Sequence, residues 1–427
     1  MICVVGLGKV GLPLVAAIAN AKYSVLGIDT DDKLISKLNS IKKIPLEKNK
    51  SLIIKNSKQV KFVNCYSYCK NISTFFLIVP TPSKSDNSFS NKFILKALKK
   101  ILIFSQKKKL FIILNSTVSP GSINKVILPF IERNNKKKSI IEFIYNPFFI
   151  ALGNVLDGII NPKSLLFGYN KKIISKKIIK IYDNLLIKNK PIFILNYEET
   201  EIAKIISNYR DTMRVSLANL VGLICNNTKN SNSDKILSFL STRLSLQESY
   251  AGTPYGGPCW PRDNNALERS MKNKDLGLFS FMPRSIHNFN NLYSKYLIKE
   301  TLKIIKNKKK ITLLGLGYKT GTDEIVESFA HRLYKLLVKK KKVQVFNLNN
   351  SNNKFNKLNI NLNFFKDFKK NKFNFNDVII FTQKQNLLEF KTVKKLLNKG
   401  VVFIDYWRLF NIKNKNYYTF GNNYNLT

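Results

Sequence analysis

Short apolar runs alternate with longer, lysine-dotted stretches from the first residue onward. Ile2–Val5 is apolar throughout, a glycine-rich turn covers residues 6–11, residues 12–21 have helical composition, and residues 24–28 are apolar again. Later apolar runs each end in a polar turn. Residues 74–79 precede Pro80-Thr81-Pro82, residues 110–114 precede Asn115-Ser116-Thr117, Ile140–Tyr145 precedes Asn146-Pro147, and residues 164–167 end at Gly168. Short buried-type strands between helical stretches predict a parallel, doubly wound sheet. Ligands of such sheets bind beyond the carboxyl ends of the strands, where these polar turns fall.

Between about residues 196 and 300 the period becomes helical. Ile202, Ile206, Tyr209, Met213, Leu217, Leu220, Val221 and Ile224 form one apolar stripe, the mark of core or interface. Lys204 and Asn208 lie one turn apart and project from roughly the other side. After about residue 300 strand-like runs return at 311–314, 343–346, 377–382 and 401–404. The predicted fold is therefore α/β, with two Rossmann-like, doubly wound parallel-sheet domains joined by a long central helical segment. The expected divisions are 1–196, 197–298 and 299–427. The asparagine-rich residues 347–363 read as a loosely held surface segment, and those beyond Ile412 as a polar tail.

Composition narrows the classes. The chain has 427 residues, 44% of them hydrophobic, which is globular and long enough for two or three domains. Its net charge is +46. A nucleic-acid partner would gather such charge on one face, whereas these lysines are scattered in short runs such as 107–109, 136–138, 308–310 and 339–342. The charge is read as compositional bias, and no nucleic-acid partner is expected. Five cysteines and two histidines (His287 and His331) form neither a disulfide scaffold nor a zinc pattern, so no metal is expected. Free thiols fit a reducing cytoplasm. No apolar run reaches the length of about 18 residues that spans a bilayer, so no membrane insertion is expected.

Three motifs carry chemistry. Gly6-Leu7-Gly8-Lys9-Val10-Gly11 follows a predicted strand and opens a predicted helix, as a dinucleotide fingerprint requires. Its glycines serve the tight turn, the approach of pyrophosphate and helix–strand packing, in that order. Asp29 closes the next strand, where it can accept from a ribose hydroxyl; a carboxylate there repels a 2′-phosphate, so NAD is favoured over NADP. The second cluster, Gly315-Leu316-Gly317-Tyr318-Lys319-Thr320-Gly321, has a misplaced third glycine. It reads as a degenerate turn without a second NAD, leaving Lys319 to meet a phosphate or sugar. The third segment is Tyr255-Gly256-Gly257-Pro258-Cys259-Trp260-Pro261-Arg262-Asp263. Pro261 suits the first turn of a helix, placing Cys259 at that helix's positive end beside Arg262, and both effects favour the nucleophilic thiolate. Gly256 and Gly257 let a ligand approach the backbone, and Asp263 is placed to orient a water.

Together with Val79-Pro80-Thr81-Pro82, Ser116-Thr117-Val118 and residues 201–208 and 315–328, these motifs give the chain a resemblance to the UDP-glucose/GDP-mannose dehydrogenase family over nearly its whole length. The resemblance implies an NAD-dependent, two-step oxidation of a primary alcohol to a carboxylate on a UDP-sugar, supplying surface polysaccharide. Cys259 would pass through a thiohemiacetal and a thioester. Lys204 and Asn208 match positions that stabilise the oxyanion, and Asp263 and Thr117 match those that organise the catalytic water. NAD would lie against Gly6, Gly8, Val10, Gly11, Asp29, Lys33, Thr81 and Thr117. Tyr250, Gly256 and Lys319, with Lys204 and Asn208, match substrate-binding positions. Arg243 matches an arginine that reaches the neighbouring subunit's site, which implies a homodimer.

Three departures stand out. Phe148 occupies the place of a glutamate that serves thioester hydrolysis, Val326 that of an arginine supporting the cofactor, and Pro254 that of a common glycine. They leave a second reading, a relative that binds nucleotide-sugar or NAD but is inactive or partly so. With Phe148 unable to act as an acid or base, hydrolysis is expected to be slow or to use another base such as Asp263.

Overall fold

The computed structural model describes residues 1–40, 43–45, 51–53, 59–171, 173–243, 249–272, 276–308, 310–322, 324–347, 362–364, 368, 373–375, 377–385 and 387–422. Most of the segment 347–363 therefore lies outside the described residues. The chain forms two compact units, Met1–Ile206 and Ser207–Thr427.

In the first unit, β1 (Ile2–Val5), α1 (Gly11–Asn20), β2 (Val25–Ile28) and α2 (Asp32–Ser40) follow the expected order. After the short antiparallel pair β3 (Lys43–Pro45) and β4 (Ser51–Ile53) come β5 (Val60–Val63), β6 (Thr74–Leu77), α3 (Lys92–Phe104), β7 (Lys109–Leu114), α4 (Leu128–Asn134) and β8 (Ile140–Tyr145). The unit continues through α5 (Val155–Ile160), β9 (Leu165–Gly168), α6 (Lys176–Leu185) and β10 (Ile192–Leu195). The sheet order is β10-β9-β8-β7-β6-β1-β2-β5. All its pairings are parallel except the β8–β9 join, a single antiparallel pair between Tyr145 and Gly168. Alternation along β1 explains the double winding. Ile2 and Val4 enter one core layer with α1 and α6, while Cys3 and Val5 enter the opposite layer with α3. Strand order reverses between β1 and β6, which puts the Gly6 turn at a topological switch point.

Helix α7 (Tyr197–Asn226) has 30 residues and crosses the division between the units. The second unit adds α8 (Ser233–Arg243), α9 (Trp260–Lys272) and α10 (Phe281–Ile304) before its sheet begins. That sheet contains β11 (Lys310–Leu314), β12 (Lys342–Asn347), β13 (Leu362–Phe364), β14 (Val378–Phe381), β15 (Val402–Asp405) and β16 (Tyr417–Thr419), with α11 (Phe329–Leu337) between β11 and β12. Its order is β13-β12-β11-β14-β15-β16, parallel throughout, and it reverses between β11 and β14.

The expected polar tail beyond Ile412 is corrected by β16. Tyr417 and Phe420 are buried, and the Tyr417 hydroxyl donates to Asp405 Oδ2 at 2.6 Å. Tyr417–Thr419 pairs with β15 because burying the aromatic run that continues to Phe420 outweighs the polar character of the asparagines around it.

Candidate active site

The first glycine turn is built by close approach. Gly6 has φ +93°, and a Cβ there would stand 2.1 Å from the Ile78 carbonyl oxygen; at Gly11 it would stand 1.8 Å from the Gly6 carbonyl oxygen. Gly8 alone of the three has nothing within 4 Å of that position. Two glycines thus seat α1 on the sheet, and the third leaves open space at the start of the helix, where a pyrophosphate fits. Val10 is the N-cap residue of α1. Asp29 follows β2, and its carboxylate accepts from Leu7 N at 2.7 Å and from Asp31 N at 3.1 Å. It is locked to the glycine turn and keeps lone pairs for a ribose hydroxyl. Lys33 is exposed on the first turn of α2.

Thr81 and Thr117 sit on neighbouring loops beyond β6 and β7, and Ser116 joins those loops. Its hydroxyl accepts from Val79 N at 2.9 Å and donates to Val79 O at 2.7 Å. The next strand end is fixed similarly. Asn115 Nδ2 donates to Asn146 O at 2.7 Å, and Asn146 Nδ2 donates to Leu166 O at 2.8 Å. Glu201, wholly buried on α7, accepts from the backbone N–H groups of Gly121 and Ile123, holding the chain just past Thr117. Sequence reasoning gave Glu201 no role. Lys204, one turn later and also buried, donates from Nζ to the Phe148 carbonyl at 2.9 Å and lies over the Phe149 ring. Phe148 packs against the core layer of α1 and α6. Its backbone reaches Lys204, but its side chain brings no acid or base.

In the second unit, Cys259 O accepts from Asp263 N at 2.8 Å, making the cysteine the N-cap residue of α9, with Pro261 inside the first turn. Cys259 is exposed, while Asp263 is wholly buried. Asp263 Oδ2 accepts from Asn208 Nδ2 at 2.6 Å, and Oδ1 accepts from Arg262 Nε at 2.9 Å, with Arg262 Nη2 also 2.9 Å away. A carboxylate so engaged, with Arg262 beside it and both oxygens bonded, is a positioning group. Asn208 keeps a second amide hydrogen. The loop before Cys259 is anchored on both sides: Asn290 Oδ1 accepts from Tyr255 N, Asn290 Nδ2 donates to Tyr255 O, and Asn219 Oδ1 accepts from Gly252 N. Pro254 is buried within it.

What lies close to the two glycines of that loop is the protein itself. A Cβ at Gly256 would stand 2.2 Å from the Glu327 carbonyl oxygen, and one at Gly257, where φ is +90°, would strike the Tyr318 ring. Gly257 N donates to Val326 O at 2.9 Å, while the Val326 side chain is exposed. The second glycine cluster is filled by Gln383, which follows β14. A Cβ at Gly315 would stand 2.5 Å from Gln383 Cδ, and Gln383 Nε2 donates to Gly317 O and Lys319 O, both at 3.0 Å. Where the first turn is open, the second is occupied by a side chain. Tyr250 is exposed, and Arg243 is exposed at the carboxyl end of α8, next to residues 244–248, which lie outside the described part.

The apolar stripe of α7 is uncovered: Ile202, Ile206, Met213, Leu217, Leu220 and Ile224 are all exposed. Among the described residues no group of three or more His, Cys, Asp or Glu side chains could hold a metal ion. Among them, too, no helix is long and apolar enough to cross a membrane.

Comparison with known proteins supplies the family context. Residues 1–186 match the NAD binding domain of the UDP-glucose/GDP-mannose dehydrogenase family, and residues 198–291 its central domain. A UDP-glucose 6-dehydrogenase of Rickettsia prowazekii is 28% identical over 345 residues, 79% of this chain and 78% of that protein. A UDP-N-acetyl-D-mannosamine dehydrogenase of Methanococcus maripaludis is 26% identical over 347 residues, 79% and 77% of the two chains. Among solved structures, a UDP-glucose dehydrogenase from Pyrobaculum islandicum shares the fold with a TM-score of 0.80 at 18% identity, over 98% of this chain and 96% of that one. The UDP-N-acetyl-mannosamine dehydrogenase Cap5O from Staphylococcus aureus does so with a TM-score of 0.78 at 23% identity, over 100% and 99%.

Proposed function

This chain belongs to the UDP-glucose/GDP-mannose dehydrogenase family, and from that premise we propose that it oxidises the C6 alcohol of a UDP-sugar to a carboxylate in two steps, with Cys259 as the nucleophile. The cofactor is NAD, and the open Gly8 turn, α1 and Asp29 form a cradle that fits it. NAD supplies the hydride acceptor when bound. The observation that carries the proposal is Cys259 itself, an exposed thiol at the positive end of α9 whose helix start is tied to α7 through Asp263 and Asn208.

After the alcohol is oxidised to an aldehyde, the Cys259 sulfur bonds to the carbonyl carbon. The carbonyl oxygen of the resulting thiohemiacetal carries the developing negative charge. Lys204 and the second amide hydrogen of Asn208 are the donors assigned to it. Loss of a second hydride from the same carbon leaves a thioester, and attack by water frees the carboxylate and restores the thiol. Thr117 is the hydroxyl assigned to that water, with Asp263 acting through Asn208. Phe148 supports a partial-activity reading, in which both oxidations proceed and the thioester accumulates.

Further parts of the reading concern assembly and role. The uncovered stripe on α7 is suited to a homodimer, with Arg243 reaching the neighbouring substrate site. Residues 1–196 would bind NAD, 197–298 would carry the dimer contacts and the cysteine, and 299–427 would hold the nucleotide with Lys319, Tyr250 and Gly256. Five free cysteines fit a cytoplasmic enzyme, and the acid product suits a surface polysaccharide precursor. The test is NADH formation from NAD with a panel of UDP-sugars and GDP-mannose, followed by intact mass of the protein. Sustained turnover supports the full cycle, a stoichiometric burst with a sugar adduct on Cys259 supports the arrested one, and neither with any sugar overturns both.

A further inference from the structure

Lys384, which no sequence motif singled out, lies among the substrate-loop residues of the second unit. It follows β14 by three residues, at the carboxyl end of the strand beside β11, where strand order in the second sheet reverses. That is the place where open α/β sheets bind ligands. Its backbone is fastened to the Lys319 loop, because Thr320 Oγ1 donates to Lys384 O at 3.3 Å and the adjacent Gln383 bonds Gly317 O and Lys319 O. Its ammonium Nζ lies 2.9 Å from the centroid of the Tyr250 ring, on the loop that leads to Cys259. Arg408 reaches the same loop through Nη2, which donates to Ala251 O at 2.7 Å.

Among the described residues the charges here are unbalanced. Asp234 is the acid that acts on Lys384 among the described residues, and both its oxygens accept from Arg408, at 2.8 and 2.9 Å. Burial and the Arg408 guanidinium push the Lys384 ammonium below its usual range, against the pull of Asp234. A cation held over an aromatic face, near a second cation whose carboxylate is already engaged, is a seat for an anion. The anion available on a nucleotide-sugar is its diphosphate.

We propose that Lys384 is a substrate-positioning residue that binds the diphosphate of the nucleotide-sugar, with Tyr250 holding the ammonium in place. The inference rests on the nucleotide-sugar reading above and extends it to a residue outside the expected set. A diphosphate donor at this position fixes the nucleotide end of the substrate and leaves Cys259 chemistry untouched, so Lys384 governs KM and not kcat.

The test is calorimetric titration of UDP, GDP and UMP into the full chain, comparing wild type with Lys384→Met and Lys384→Arg, with NAD titrated as a control. Loss of one charge-assisted hydrogen bond predicts binding of the preferred diphosphate weakened by about tenfold or more in Lys384→Met, with largely restored affinity in Lys384→Arg. UMP should lose less than UDP, NAD affinity should hold, and turnover should show a raised KM at near-constant kcat. Equal binding of the preferred diphosphate by wild type and Lys384→Met overturns the proposal while leaving the nucleotide-sugar reading intact. A wild-type protein that binds NAD but neither UDP nor GDP overturns the nucleotide-sugar reading, and this inference with it.

Discussion

Asn208 and Asp263, 55 residues apart, meet through a hydrogen bond of 2.6 Å that ties the middle of α7 to the first turn behind Cys259. With Arg262 on its other oxygen, Asp263 is a buried hub joining an amide, a guanidinium and the start of a helix. Replacing it by Asn keeps the shape and removes the charge. Arg262 then loses its ion pair with Asp263 while remaining partly exposed, so a stability loss of about 2–3 kcal/mol is expected, near the lower end for a broken buried pair. With the charge-assisted hold on Asn208 weakened, kcat should fall on the order of a hundredfold with KM less affected. Thermal unfolding and steady-state kinetics of Asp263→Asn check both, and an unchanged kcat would remove the Asp263 charge from the mechanism.

Cys259→Ser tests covalency. The exposed thiol can be exchanged without disturbing a core, so stability should stay within about 0.5 kcal/mol. Carboxylate formation should fall by on the order of a thousandfold, and no sugar adduct should appear in the intact mass. An adduct on the serine variant would assign the nucleophile elsewhere.

Phe148→Glu tests hydrolysis. If a missing acid–base group limits the last step, the wild type shows a burst of NADH and then slow turnover. The glutamate variant should then raise the steady rate by about tenfold or more, a part of the roughly hundredfold that marks the lower end of general acid–base effects. Lys204 bonds the backbone oxygen at 148, so that contact survives the exchange. No gain in turnover would sink the idea that Phe148 impairs hydrolysis.

The glycines of the first turn separate folding from binding. Gly6→Ala and Gly11→Ala should destabilise the first unit, since each added carbon meets a carbonyl oxygen at 2.1 and 1.8 Å. Gly8→Val enters open space, so its melting temperature should stay near the wild-type value while NAD affinity drops by about tenfold or more. Circular dichroism melts and NAD titration decide the matter; a Gly8 variant that binds NAD normally would move the pyrophosphate off this turn.

The α7 stripe tests assembly. Leu217→Glu together with Leu220→Glu puts charge on an already exposed face, so the monomer should remain folded. Sedimentation should show a dimer for the wild type and a monomer for the double variant, because burying unpaired carboxylates costs several kcal/mol. A wild-type monomer at micromolar concentration would leave the stripe without its assigned partner.

Much of this could be read from the chain because local rules decided it. The turn from Gly6 to Gly11, the strand around it and Asp29 were legible since each residue type there has one cheap conformational use. Strand β10 was missed because it is a partly exposed edge with no polar alternation, and β5 because its four residues include a lysine. β16 was misread because asparagines on either side masked three residues that pair with a strand already laid down. The bonds that shape the site were illegible for a different reason. Ser116 to Val79, Asn208 to Asp263 and Gln383 to Gly317 link residues 37, 55 and 66 positions apart, and no local pattern encodes such meetings. The roles of Gly256 and Gly257 were read too simply, since the close neighbours they admit are Tyr318 and Glu327.

Gln383, seated in the second glycine turn, has a consequence for the order of events. With one turn open and its counterpart filled, the two-step oxidation proposed above would draw both oxidising equivalents through the berth at the first turn. The first reduced cofactor has to depart and a fresh one arrive while the half-oxidised sugar waits. A reactive aldehyde left loose during that exchange would be lost to solution. The bond to sulfur proposed for Cys259 would act as a mooring through that exchange, a use that follows from the chain's unequal halves.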